Sequence, residues 1–298
     1  MRLPLAILYF LLRVAGRLPL RVLHGLGGLL GRLLWWSGGK LRHHTEVNFA
    51  LVHTQISAAE RQEIARRTLR ETGKSVTEIA KIWGAGPDNA LALVRGVDGE
   101  ELFREALASQ RGLIVAAPHL GCWELLNFWL CSRTDLAIVY RPPRHAALEP
   151  LLLKARGALS PEQVRAEGAG VRTLYKRLQA GGVVGILPDQ QPKQGEGVFA
   201  PFFGVPALTM VLVSRLAQRT GATVLFAFAE RLPRGEGYRI RFRAAPPEIG
   251  SDDLDRAVAA LNQGVEDCVN LAFEQYQWHY KRFQFRPDPD EPNPYWRG

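Results

Sequence analysis

Cysteine is scarce in this chain of 298 residues: Cys122, Cys131 and Cys268 form no C-x-x-C pair. Three isolated thiols exclude a disulfide framework and fit a reducing compartment. Acidic residues are missing from the first 36 positions, which carry Arg2, Arg13, Arg17, Arg21 and Arg32. Long apolar runs are missing as well. Arginines bound "LPLAILYFLL" and "VLHGLGGLLG" before either reaches the roughly 20 residues of a standard spanning helix. No small-residue cleavage site follows, so the segment does not read as a signal peptide. G-x-S-x-G is absent, which removes support for an α/β-hydrolase nucleophile. "GEGVFA" imitates a dinucleotide fingerprint, but Pro201 follows it where a helix should start. His43 and His44, like His119 with Glu124, lack third and fourth metal ligands. Internal repeats and low-complexity segments are absent too.

Hydrophobic residues make up 47% and charged residues 22%, the balance of a globular chain. The formal charge of +9 points to an anionic partner: nucleic acid, a phospholipid surface or an acidic protein. No aromatic-basic recognition motif supports nucleic acid. Arg13, Arg17 and Arg21 recur every fourth residue, on one helical face, and the segment closes on Trp35 and Trp36. That pattern reads as an interfacial membrane helix or as an ordinary surface helix on the core. The spacing divides the chain into a membrane-anchoring segment, 1–45, and a main domain, 46–298.

Lys40, Arg42, His43 and His44 read as a basic turn. "SAAE", Ser57 to Glu60, is a capping box opening a helix that runs to about Trp83. "GLIVAA", "LAIVY" and "VVGIL" are short buried strands, each followed by a helical stretch, with helices expected from about Leu148 to Leu159 and Val171 to Gln179. "PFFGVPALT" leads into a helix through Ala217. "TVLFAFAE" and "YRIRFRA" are strands joined by "RLPRGEG", and a last helix spans about Leu254 to Tyr276. Strands alternating with helices predict an α/β fold, an αβα sandwich with a mostly parallel central sheet.

His119 stands where the first of these strands gives way to a helix, the place where open α/β sheets put ligands. Glu124 falls in the first turn of that helix. An imidazole there can withdraw a proton from an alcohol, and a carboxylate on its far nitrogen would fix the tautomer. A core histidine with an unrelated surface glutamate fits the spacing too. Asp189 ends another strand, either at the same sheet edge or as a turn cap. Arg141, Arg144 and Arg156 suit phosphate contacts, or solvent. Cys122 reads as a small hydrophobe.

A histidine, four residues and an acid after a buried strand resembles the glycerolipid acyltransferase signature. More specifically, the chain resembles the lipid A biosynthesis lauroyl/myristoyl acyltransferases of Gram-negative bacteria. "HLGCWE" is similar to that family's H-x-G-N-W-E, and "YRPP", "PDQQ", "PFFGVPALT" and "EQYQWHYKRF" resemble its other blocks in order. Cys122 departs from asparagine, Phe273 from proline and Tyr280 from a basic residue. The resemblance implies transfer of a fatty acyl chain from acyl carrier protein to a hydroxyl of a lipid A precursor. It implies no metal or nucleotide cofactor, and a place among anionic lipids on the cytoplasmic face of the inner membrane. By the same likeness His119 is the base and Glu124 its partner. Arg156 and Asp189 line the site, with Arg141 and Gln190 from the neighbouring blocks in the substrate-binding set. Acylation of another glycolipid or lysophospholipid, and non-catalytic lipid transfer, are the alternative readings.

Overall fold

The computed structural model describes residues 3–140, 162–165 and 168–296. Four helices lead: α1 (Leu3–Gly16), α2 (Leu20–Trp36), α3 (Lys40–Val52) and α4 (Ala58–Gly84). α4 opens on the expected capping box, with the Ser57 hydroxyl accepting from the Glu60 amide and the Glu60 carboxylate from the Ser57 amide. Two amides that the first turn leaves without helical partners are thereby satisfied. α2 lies along α4 with backbones nearly touching. A Cβ on Gly27 would stand 2.5 Å from the Lys74 Cα, and one on Gly31 2.2 Å from the Leu69 carbonyl oxygen. From the other side, a Cβ on Gly73 would stand 2.1 Å from the Gly27 carbonyl oxygen. No helix among the described residues is long and apolar enough to cross a membrane.

The basic stretch at Lys40–His44 is helical, not a turn. α3 gains its partners from distant sequence: His44 Nδ1 meets the His279 carbonyl at 3.2 Å, and the Asn48 amide donates to the Trp278 and Tyr280 carbonyls. Tertiary contact overrides weak local propensity here.

After α5 (Pro87–Leu91) come β1 (Val94–Asp98), α6 (Glu100–Ala108), β2 (Leu113–Ala116), α7 (Trp123–Arg133), β3 (Leu136–Tyr140) and β4 (Glu162–Arg165). There follow α8 (Ala169–Gln179), β5 (Val183–Ile186), β6 (Gly197–Phe202), β7 (Val205–Met210) and α9 (Leu212–Thr220). β8 (Thr223–Arg231), β9 (Tyr238–Ala244) and α10 (Leu254–Leu271) complete the set. The seven-stranded sheet has the order β1-β9-β8-β2-β5-β3-β4. All neighbours are parallel except β8 and β9, which form the hairpin expected across "RLPRGEG". The parallel strands β2 and β5 are buried along their whole length. That explains why they read as unbroken apolar runs. One face packs Ile114, Phe226 and Phe228, and the other Val115, Leu125 and Phe242.

"PFFGVPALT" differs from a simple lead into a helix: it forms most of a β6–β7 hairpin, turning at Phe203 and Gly204 with positive φ. The last helix ends at Leu271, five residues short of Tyr276, and the chain beyond it is recruited to the site. The helix expected at about Leu148 to Leu159 lies outside the described residues.

One ionic knot ties the leading helices to the sheet. The Arg231 guanidinium donates to Glu78 at 2.6 and 2.7 Å, to Glu71 at 2.8 Å and to the Ser75 hydroxyl at 3.0 Å. Glu78 also accepts from Tyr238 and meets His24 Nε2, both at 2.7 Å. Burial pushes the Glu78 pKa up, but Arg231 and His24 outweigh it and hold the carboxyl below its ordinary range. Such a cluster is costly to break because removing one member strands a buried charge.

Candidate active site

β2 stops at Ala116, and the chain leaves the sheet as Ala117–Cys122 before α7 begins. This short stretch is held on both sides by backbone. The Cys122 amide donates to the Ala229 carbonyl at 2.9 Å, the Gly121 amide to Gln275 at 3.2 Å, and the Gln277 amide to the His119 carbonyl at 3.1 Å. Gly121 has φ +62°, and a Cβ there would stand 2.0 Å from the Ala229 carbonyl oxygen. The glycine of "HLGC" is therefore required by the close approach to β8. Position 122 contributes a backbone amide and a buried thiol, and burial pushes that thiol's pKa well up.

β5 ends at the same sheet edge, and "PDQQ" follows it. Asp189, 3% exposed, grips His119 twice: Oδ2 accepts from the His119 amide and Oδ1 meets Nδ1, both at 2.8 Å. Burial raises the Asp189 pKa, but the charge and hydrogen bonds of His119 outweigh it, leaving the carboxyl below its ordinary value. The Gln190 amide nitrogen stands 3.3 Å from His119 Nε2 and 3.2 Å from the Gln277 Oε1. These contacts fit one tautomer, with the proton on Nδ1 and a lone pair on Nε2. Tyr276 sits against Asp189, and burial together with that carboxylate pushes its phenol well up.

The imidazole opens onto a cavity of about 560 Å³. Leu126, Leu130, Ile138, Ile186 and Leu212 supply apolar wall, and Gln190 shares the lining with His119. Gly185 in the middle of β5 leaves room there that any side chain would take. An imidazole whose Nε2 meets the Gln190 amide in the wall of an apolar cavity can serve as a base in chemistry on a long hydrocarbon substrate.

The profile of the bacterial lipid A biosynthesis acyltransferase family matches residues 5–285. The chain belongs to this family. It is an acyltransferase. The lipid A biosynthesis lauroyltransferase of Escherichia coli is 28% identical over 275 residues, 91% of this chain and 88% of the relative. The lipid A biosynthesis palmitoleoyltransferase of Escherichia coli is 27% identical over the same shares. A phosphatidylinositol mannoside acyltransferase of Mycobacterium tuberculosis is 28% identical over 211 residues, 68% of this chain and 63% of that one.

In this acyltransferase the expected residues divide three ways. His119, Asp189 and Gln190 come together. Glu124 is buried in the first turn of α7, as its position predicts, but the carboxylate on His119 Nδ1 is Asp189. Arg141 and Arg156 lie outside the described residues. Sequence reasoning missed Gln277 and Tyr276, although both fall inside "EQYQWHYKRF"; an unassigned block that resembles family sequence was the available signal. No group of three or more residues able to hold a metal ion occurs among the described residues.

Proposed function

We propose that the chain transfers a fatty acyl group of lauroyl or myristoyl length from acyl carrier protein to a hydroxyl of a lipid A precursor. The observation that carries this reading is His119, clamped by Asp189 at Nδ1, in the wall of the apolar cavity. The acceptor hydroxyl takes the place of the Gln190 amide at Nε2 and yields its proton to that lone pair. Its oxygen attacks the thioester carbonyl, a C–O bond forms and the C–S bond breaks. The imidazolium then returns the proton to the departing phosphopantetheine sulfur. Asp189 holds the tautomer and stabilises the imidazolium. Glu124, buried at the start of α7, adds a second carboxylate to the surroundings of that cation. Arg141 and Arg156 remain proposed contacts to acceptor phosphate or to the phosphopantetheine arm. The helix N-terminus of α7 offers amides of the kind that stabilise an oxyanion.

The surface supports a membrane location. Val22, Leu26, Leu29, Leu33 and Trp36 on α2 are all exposed, as are Phe10, Leu11, Val14 and Leu18 before them. Arginines border this apolar face, and no acid occurs before Glu46. A face of this composition lies in the lipid headgroup region, here anionic lipid on the cytoplasmic side of the inner membrane. The net charge of +9 also favours acyl carrier protein, an acidic partner, as the donor.

The test is the initial rate with acyl carrier protein thioesters of graded length and a lipid A precursor. His119→Ala should remove turnover by about 10²–10⁴ while circular dichroism stays unchanged. A folded His119→Ala chain with near wild-type turnover ends the mechanism. Equal rates with coenzyme A thioesters end the donor assignment. Leu26→Asp with Leu33→Asp should release the chain from anionic vesicles, and unchanged sedimentation rejects the anchor.

A further inference from the structure

Between α2 and α4, away from His119, lies a second cleft of about 490 Å³. Arg32, Arg67, Arg70 and Lys74 face into it, against Glu71 and Glu274. Those two carboxylates are already engaged. Glu274 takes Arg67 at 2.6 Å, while Glu71 takes both Lys74 and the buried Arg231. Arg32 and Arg70 pair with no carboxylate among the described residues, and the Arg70 Nε is shut off from solvent with no hydrogen-bond partner. Arg32 is exposed and Arg70 half-buried, so the two guanidiniums stand open to an anion entering the cleft. Guanidinium forks match phosphate oxygens in bidentate geometry, as they match carboxylates.

The position of the cleft names the source of the phosphate. On α2, Val22, Leu26, Leu29, Leu33 and Trp36 occupy a strip about 80° wide, by 3.6 residues per turn. Gly25 and Arg32 follow on its flank, roughly 20–40° further round. Leu29 belongs to both, being exposed in the strip and part of the cleft wall. Gly25 and Gly28 keep that wall open, since a Cβ on either meets nothing within 4 Å. An apolar face that enters lipid beside an arginine-lined cleft sets the cleft at headgroup depth.

We propose that Arg32 and Arg70, with Lys74, form a cradle for the phosphate of an anionic membrane phospholipid. It is a lipid-docking site distinct from the catalytic cavity. The proposal rests on reading α1 and α2 as the interfacial anchor. Bound there, one headgroup pins α2 against α4 and sets the orientation of the enzyme on the bilayer.

The full chain is titrated calorimetrically with monomeric dihexanoylphosphatidylglycerol, and sedimented separately with phosphatidylcholine vesicles with and without phosphatidylglycerol. Gly28→Leu puts a side chain into the cleft without changing charge, and its Cβ meets nothing within 4 Å, so the backbone need not shift; its fold is checked by circular dichroism. It should lose about tenfold in affinity for the soluble lipid, as should Arg32→Gln with Arg70→Gln. Arg13→Gln with Arg17→Gln removes the same charge from α1 and the turn after it and should retain that affinity. Unchanged binding by folded Gly28→Leu overturns the cradle. Inorganic phosphate binding as tightly as the soluble lipid overturns the headgroup assignment in favour of a free-anion site. Vesicle binding without soluble-lipid binding rejects the cradle and keeps the anchor. Soluble-lipid binding without vesicle binding rejects the anchor and keeps the cradle.

Discussion

Asp189→Asn is the sharpest probe of the catalytic geometry. The native carboxylate offers two acceptor oxygens to two donors of the same residue, the His119 amide and Nδ1, each at 2.8 Å. An asparagine offers one oxygen and one amino group. If the oxygen faces Nδ1, the amino group faces the His119 amide and two donors oppose each other. If the oxygen serves the amide, the amino group faces Nδ1, and the imidazole must carry its proton on Nε2 instead. Nε2 then has no lone pair for the acceptor hydroxyl, so the base is lost although the ring stays in place. Loss of general-base catalysis costs about 10²–10⁴ in rate. The lost charge-assisted bond should cost about 1.5–3 kcal/mol of stability. The expected signature is a fall in kcat larger than any change in KM, with the chain folded in the same buffer. Asp189→Asn with a wild-type kcat would refute the assignment of Asp189 as the group that fixes His119. A Glu124→Gln chain with the larger kcat loss would move that role to Glu124.

Cys122→Ser and Cys122→Asn should keep most activity, since the thiol is buried with a raised pKa; a dead Cys122→Ser, read by initial rate, would argue for covalent catalysis. Gly185→Val should narrow the cavity and shift donor preference toward shorter acyl chains, measured as relative kcat/KM across thioester lengths. Gly73→Ala should cost about 1–3 kcal/mol by forcing α2 off α4, read by urea unfolding. His279 is lowered from 6.5 to about 4 by burial, then by His44 and His119. The unfolded chain therefore takes up a proton that the folded chain refuses, and stability falls as pH drops from 6.5 toward 4. His279→Gln should remove about 3 kcal/mol of that loss relative to the parent, and identical acid unfolding curves would contradict it.

Much of the molecule was legible in the chain. The apolar runs at Leu113–Ala116 and Val183–Ile186 declared buried parallel strands, because only strands covered on both faces can be apolar throughout. Ser57 and Glu60 declared the start of α4, because capping is chemistry between near neighbours. The same locality made His119 and Glu124 look like a pair, five residues apart. Which carboxylate meets Nδ1 was decided by the sheet. β2 and β5 are adjacent and parallel, so their carboxyl ends deliver His119 and Asp189 to one point from 70 residues apart. Gln277 arrives from still further, because α10 stops at Leu271 and its continuation pairs with His119 and Gly121. α3 is helical for a similar reason: its polar residues bond to residues 278–280, and no local pattern carries that information. The sequence by itself determined the periodicities, the caps and the chemical types at each strand end. Tertiary structure alone decided which of those groups meet, since contact between remote residues is set by strand order and packing.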